Sequence, residues 1–216
     1  LIPRLHPLHL LTLAILLAVI LFAGLDIYRQ DGHNCYKENF PASTLGGITS
    51  FLLAGAIGLT LLKRVLNPHA EVASALSTLW MVLGLGSIPC LCFTGLCRMK
   101  GLRPNFLFHT LVCLFFVLRL ISRYQTWSAD PQLHDYCFQL LATVCAMLFS
   151  YHRAALDLKS GNRRPLVTVG LLGTYFCCLS VVASNAYFFY AAIGAWMVSN
   201  LGVMDIPVPA SKEDKG

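Results

Sequence analysis

VASALSTLWMVLGLGSIPCLCFTGLC, residues 72–97, runs for 26 residues without a charged side chain. A helix needs about 20 predominantly apolar residues to cross the hydrocarbon core of a bilayer. The stretch therefore reads as a membrane span. Its interior holds Gly84, Gly86, Ser87 and Pro89. Proline removes a helical hydrogen bond and crowds the preceding turn, so a kink or a break is expected there. A broken segment would re-enter and return to its own side of the membrane.

Comparable apolar stretches lie near 8–28, 45–62, 104–121, 132–153, 165–183 and 186–204. With 72–97 they predict an all-α fold, a polytopic transmembrane helical bundle of about seven spans. Six spans plus a re-entrant segment is the alternative. The bundle is one domain over 1–205, and 206–216 reads as a polar tail. The first stretch is longer than the apolar core of a signal peptide and is not closed by a small-x-small site, so it is read as a span.

Composition agrees. The chain of 216 residues is 56% hydrophobic and 12% charged, against roughly 25% charged in soluble domains. Its mean hydropathy is +0.66. The net charge of +6 sits in short clusters between apolar segments. That is the topology signal of a membrane protein, not a basic stripe for nucleic acid. The predicted partners are the lipid bilayer and other membrane subunits or a second copy of the chain; no nucleic acid is expected.

The sixteen basic residues also orient the spans. In the seven-span arrangement Arg4, Lys63, Arg64, Arg119 and Arg123 share one side, and the other eleven share the opposite side. The positive-inside rule then puts the C-terminus inside and the N-terminus outside. The re-entrant arrangement splits them twelve to four, with both termini inside. The predicted location is a cell membrane, crossed several times.

Small residues recur every fourth position in Ser50, Ala54 and Gly58, and again in Ala191, Ala195 and Ser199. Such stripes let helix backbones approach closely inside a bilayer. The nine cysteines fall almost entirely in or beside spans, where thiols act as small hydrophobes. Cys35 alone sits clearly in a polar loop. Cys90, Cys92 and Cys97 have soft ligands but fit no standard zinc spacing, so no metal is expected.

Arg119, Arg123 and Trp127 follow one another at i, i+4 and i+8, which places them on one helical face. Asp130 and His134 open the next span. A cationic face opposite a carboxylate and an imidazole is a candidate site for a small anionic or zwitterionic ligand. The plainer reading has the arginines snorkelling to the interface and the aromatics forming a belt. Arg153 and Asp157 are spaced for a surface i, i+4 ion pair. His109 lies within a span and reads as a helix-to-helix hydrogen bond. No HExxH, GxSxG or Walker loop is present, so neither an enzyme nor a cofactor is predicted.

RYQTWSADPQLHDYCFQLLA, residues 123–142, followed by the SGNRRP turn, resembles uncharacterised polytopic membrane proteins of Gram-positive gut bacteria. The resemblance covers about 97–201 and implies an inner-membrane location with no assigned activity. Pro131-Gln132 is similar to the dipeptide of PQ-loop and SWEET-type carriers, which have seven spans and an outside N-terminus. The first span lacks a matching dipeptide, and the basic turn follows Gln132 later than in that family. The six-span arrangement resembles in size the substrate-binding subunits of vitamin importers. The expected role is a non-enzymatic bundle partner or assembly subunit. The alternative is a small-molecule carrier or sensor with a pocket near the fourth and fifth spans.

Overall fold

Six helices close into a ring. The computed structural model describes residue 18 and residues 42–66, 75–127, 133–158, 161–183 and 186–204. Among them the helices are α1 (Thr44–Leu66), α2 (Ala75–Met99), α3 (Phe106–Trp127), α4 (Leu133–Asp157), α5 (Arg163–Ala183) and α6 (Tyr187–Met204). Each packs on its neighbours in sequence, and α6 returns to pack on α1. Successive helices run antiparallel, as short connections require. One end of the ring gathers the starts of α1, α3 and α5 with the finishes of α2, α4 and α6. It carries Arg98, Lys100, Arg103, Arg153, Arg163 and Arg164 and is here the basic end. The opposite end carries Trp80, Phe189 and Tyr190 and is here the aromatic end.

The residues are distributed inside out relative to a soluble protein. Large apolar side chains such as Ile48, Leu52, Val82, Leu85, Leu107 and Val182 face outward. Arg98, His109, Arg119, Arg153 and Asp157 are buried. An apolar exterior around ionisable groups is what a hydrocarbon solvent selects. Four helices are long and apolar enough to cross a membrane: Thr44–Leu66, Thr78–Met99, Phe106–Gln125 and Arg163–Val182. The fold is that of a membrane-embedded helix bundle.

The expected seven spans are not reached among the described residues. The stretch 8–28 lies outside them apart from Ala18. The stretches 132–153 and 186–204 do form α4 and α6, but neither meets the same test. In α4 the polar Gln139, His152 and Arg153 lower the apolar character of the helix. At 18 residues, α6 is about 27 Å long, short of a hydrocarbon core of about 30 Å. The expected break at Pro89 is absent, because α2 runs as one helix of 25 residues straight through it. Pro89 forfeits a single hydrogen bond, and the packing of α2 between α1 and α3 outweighs that loss. The segment therefore joins the two ends and does not double back.

Glycine sets the closest helix crossing. A Cβ on Gly47 of α1 would lie 2.9 Å from the Gly95 carbonyl oxygen of α2, and one on Gly95 would lie 3.1 Å from the Gly47 carbonyl oxygen. Ser50 and Ala54 are buried on the same side, and Gly58 approaches Ile88. The first small-residue stripe thus serves the contact between α1 and α2. In the second stripe Ser199 is buried, with its hydroxyl 2.6 Å from that of Thr49 on α1. Ala195 is half-buried and Ala191 is exposed, so only one end of that stripe meets another helix in the ring.

The basic end is fastened by backbone. Gly101 adopts φ 66°, the left-handed conformation that glycine takes without penalty. There Leu102 N–H donates to the Cys97 carbonyl at 2.8 Å and Gly101 N–H to the Arg98 carbonyl at 3.3 Å, a Schellman closure. The Arg98 carbonyl also accepts from Ser43 N–H at 3.1 Å, and the Ser43 hydroxyl caps α1 by accepting from Gly46 N–H at 3.1 Å. The end of α2 and the start of α1 are thereby tied together.

Candidate functional site

Two interior clusters of polar residues occupy the two ends of the ring. At the aromatic end Arg119 leaves α3 and turns inward. Its side chain is 3% exposed, so it does not snorkel. The guanidinium carbon lies 3.8 Å from the Phe189 ring centroid and 5.8 Å from that of Trp80. Tyr190 is its polar neighbour. Arg64 of α1 stacks on the same indole from 5.4 Å. Arg123, half-buried one turn after Arg119, is close enough to act electrostatically on both.

Aromatic faces carry negative quadrupole density, so they accept guanidinium groups, and more strongly where water is excluded. They do not neutralise them. Asp157 is the one acidic residue whose side chain is among those described, and it lies at the other end of the ring; Asp135 falls in the first turn of α4, at the aromatic end. Two donors are left over. Arg119 Nε and Trp80 Nε1 are buried without a hydrogen-bond acceptor among the described residues. Trp80 is 6% exposed. Buried donors without acceptors are uncommon, because each costs about 1–3 kcal/mol. Among the described side chains the aromatic end therefore leaves donors, not acceptors, unsatisfied.

The basic end is arranged differently. His109 Nδ1 of α3 lies 2.8 Å from Asp157 Oδ2 of α4. Arg153, one turn before Asp157, donates from Nη1 to Asn200 Oδ1 of α6 at 3.1 Å, and Asn200 Nδ2 donates to the Trp196 carbonyl at 2.7 Å. Arg98 of α2 reaches the same region and lies against Gly46 of α1. The expected surface pair of Arg153 and Asp157 is corrected here. Their side chains are 2% and 3% exposed and engage different helices. His109 links two helices as its place in a span suggested, with Asp157 as its partner.

The remaining predicted site residues are placed as follows. Trp127 is the last residue of α3 and His134 falls in the first turn of α4, but their side chains, and the whole of Asp130, lie outside the described residues. Of the five, the structure brings together Arg119 and Arg123. Sequence reading passed over Trp80, Phe189 and Tyr190, and it left Arg98 in a surface turn. Trp80 carried no signal of its own, since an aromatic in an uncharged run is equally suited to lipid. Cys90 and Cys92 are half-buried and Cys97 is buried. Among the described residues no three His, Cys, Asp or Glu side chains converge as metal ligands.

No family model, curated protein or solved structure matches the chain. The likeness to PQ-loop carriers rests on Pro131-Gln132, which lie outside the described residues.

Proposed function

We propose that this chain is a non-enzymatic, multi-pass protein of a bacterial cytoplasmic membrane that holds a small ionic ligand inside its helix ring, as a carrier or a sensor. The observation that carries this reading is the burial of Arg119 among aromatic rings with its Nε unsatisfied among the described residues. A buried charge is costly, and in membrane helices ionisable groups facing the bundle interior mark sites that bind or conduct.

The competing role, a partner subunit that associates through small-residue stripes, is supported less well. Ser50, Ala54 and Gly58 are engaged by α2, and Ser199 is engaged by α1. Orientation follows from charge: the more basic end faces the cytoplasm, and the C-terminus follows α6 on that side. Cys35 would then be cytoplasmic. A membrane-impermeant maleimide should leave it unlabelled in intact cells and label it after permeabilisation; labelling in intact cells would reverse the orientation.

The binding role is tested by thermal unfolding of the full chain in neutral detergent against small anions, zwitterions and cations. Stabilisation that disappears in Arg119→Met supports a ligand in the ring. Stabilisation by none of them, or equal stabilisation of the variant, supports a scaffold.

A further inference from the structure

We infer that the site at the aromatic end takes an anionic group of the phosphate or carboxylate class, bound by Arg119 Nε and Trp80 Nε1 with Arg64 and Arg123 as flanking positive charge. This deepens the binding role proposed above and rests on it. The chemistry of the lining selects the class. Every unsatisfied polar atom there is a donor. Guanidinium and indole N–H groups cannot accept, so a cationic or hydrogen-donating ligand would leave both donors unanswered and add repulsion.

An oxyanion answers each need at once. Its oxygens accept from Arg119 Nε and Trp80 Nε1, and its charge offsets a guanidinium whose described neighbours are rings, a phenol and a second arginine. Charge-assisted bonds from arginine to phosphate or carboxylate are short and strong. The aromatic walls suit the same ligand. Phe189 and Trp80 lie against the guanidinium, and its N–H groups, which project from the edge of the plane, are the atoms an anion would meet. The site lies where helices reach the end of the ring. Such an anion arrives either as the headgroup of an acidic phospholipid or as a free small anion.

Purified full-length protein in neutral detergent separates these sources. One arm adds inorganic phosphate or acetate, a second adds phosphatidylglycerol, and a control adds phosphatidylcholine. The thermal midpoint should rise by about 5 °C at a hundredfold excess over the dissociation constant. Phosphatidylglycerol alone raising it identifies a lipid headgroup; phosphate or acetate raising it identifies a free anion. The rise should vanish in Arg119→Met. Should that variant fail to fold, Trp80→Phe keeps an aromatic face, removes the N–H donor together with the pyrrole ring, and should weaken binding about tenfold. An anion-induced rise of the same size in either variant overturns the assignment. So does a rise with phosphatidylcholine or cations alone; if that rise depends on Arg119, the binding role survives and only the anion class falls. Loss of all Arg119-dependent stabilisation removes both.

Discussion

The two ends of the ring handle buried charge in opposite ways. At the basic end cations meet a carboxylate, an imidazole and an amide, and the contacts link α3 to α4 and α4 to α6. At the aromatic end a guanidinium of equal burial meets rings, a phenol and two further arginines. The first arrangement is a latch that joins helices and leaves Asp157 Oδ1 as a spare acceptor among the described residues. The second is an open demand for an acceptor. Burial alone therefore does not distinguish structural from functional ionisable residues in a membrane bundle; the balance of donors and acceptors around them does.

Substitutions at the two ends should differ in proportion. The largest effect is expected from Asp157→Ala, which takes from His109 the carboxylate 2.8 Å away. Removing one partner of a buried pair costs about 3–5 kcal/mol, read as a large fall in the thermal midpoint. Little change would mean that the latch contributes nothing. Asn200→Ala should follow at about 2 kcal/mol, because it withdraws the acceptor of a hydrogen bond from a charged donor. Arg119→Met should change ligand-free stability by less than about 1 kcal/mol. It loses the stacking on Phe189 and Trp80, worth about 2 kcal/mol when desolvated, but releases an unneutralised buried charge. A loss as large as that of Asp157→Ala would erase the distinction between the ends. Ala191→Val, on the exposed face of α6, should stay within about 0.5 kcal/mol; a larger loss, with a change in oligomeric state, would show a helix partner seated there.

Much of the fold was legible because the bilayer imposes length and polarity on every helix that crosses it. Residues 72–97 announced α2, and the basic turns announced its connections. The break expected at Pro89 is absent: sequence displays the lost hydrogen bond and hides the neighbours that keep α2 continuous. Arg153 and Asp157 were misjudged for a related reason. Their spacing makes a surface pair the simplest local reading, and only the course of α3 and α6 alongside reveals that His109 and Asn200 claim them. Arg119 was visible as an ionisable residue in an apolar segment. That it points inward, onto Phe189 from a helix 70 positions later in the chain, belongs to the tertiary fold.

Arg119→Met set beside the wild type, each unfolded thermally in neutral detergent with and without the stabilising anion, compares the two ends most directly. Without anion the variant should match or exceed the wild type, because an unanswered charge has been removed. With saturating phosphatidylglycerol or phosphate the wild type should rise above it by about 5 °C. A variant that lies below the wild type by the same margin in both conditions would contradict an anion site at the aromatic end and make Arg119 a structural residue like Arg153.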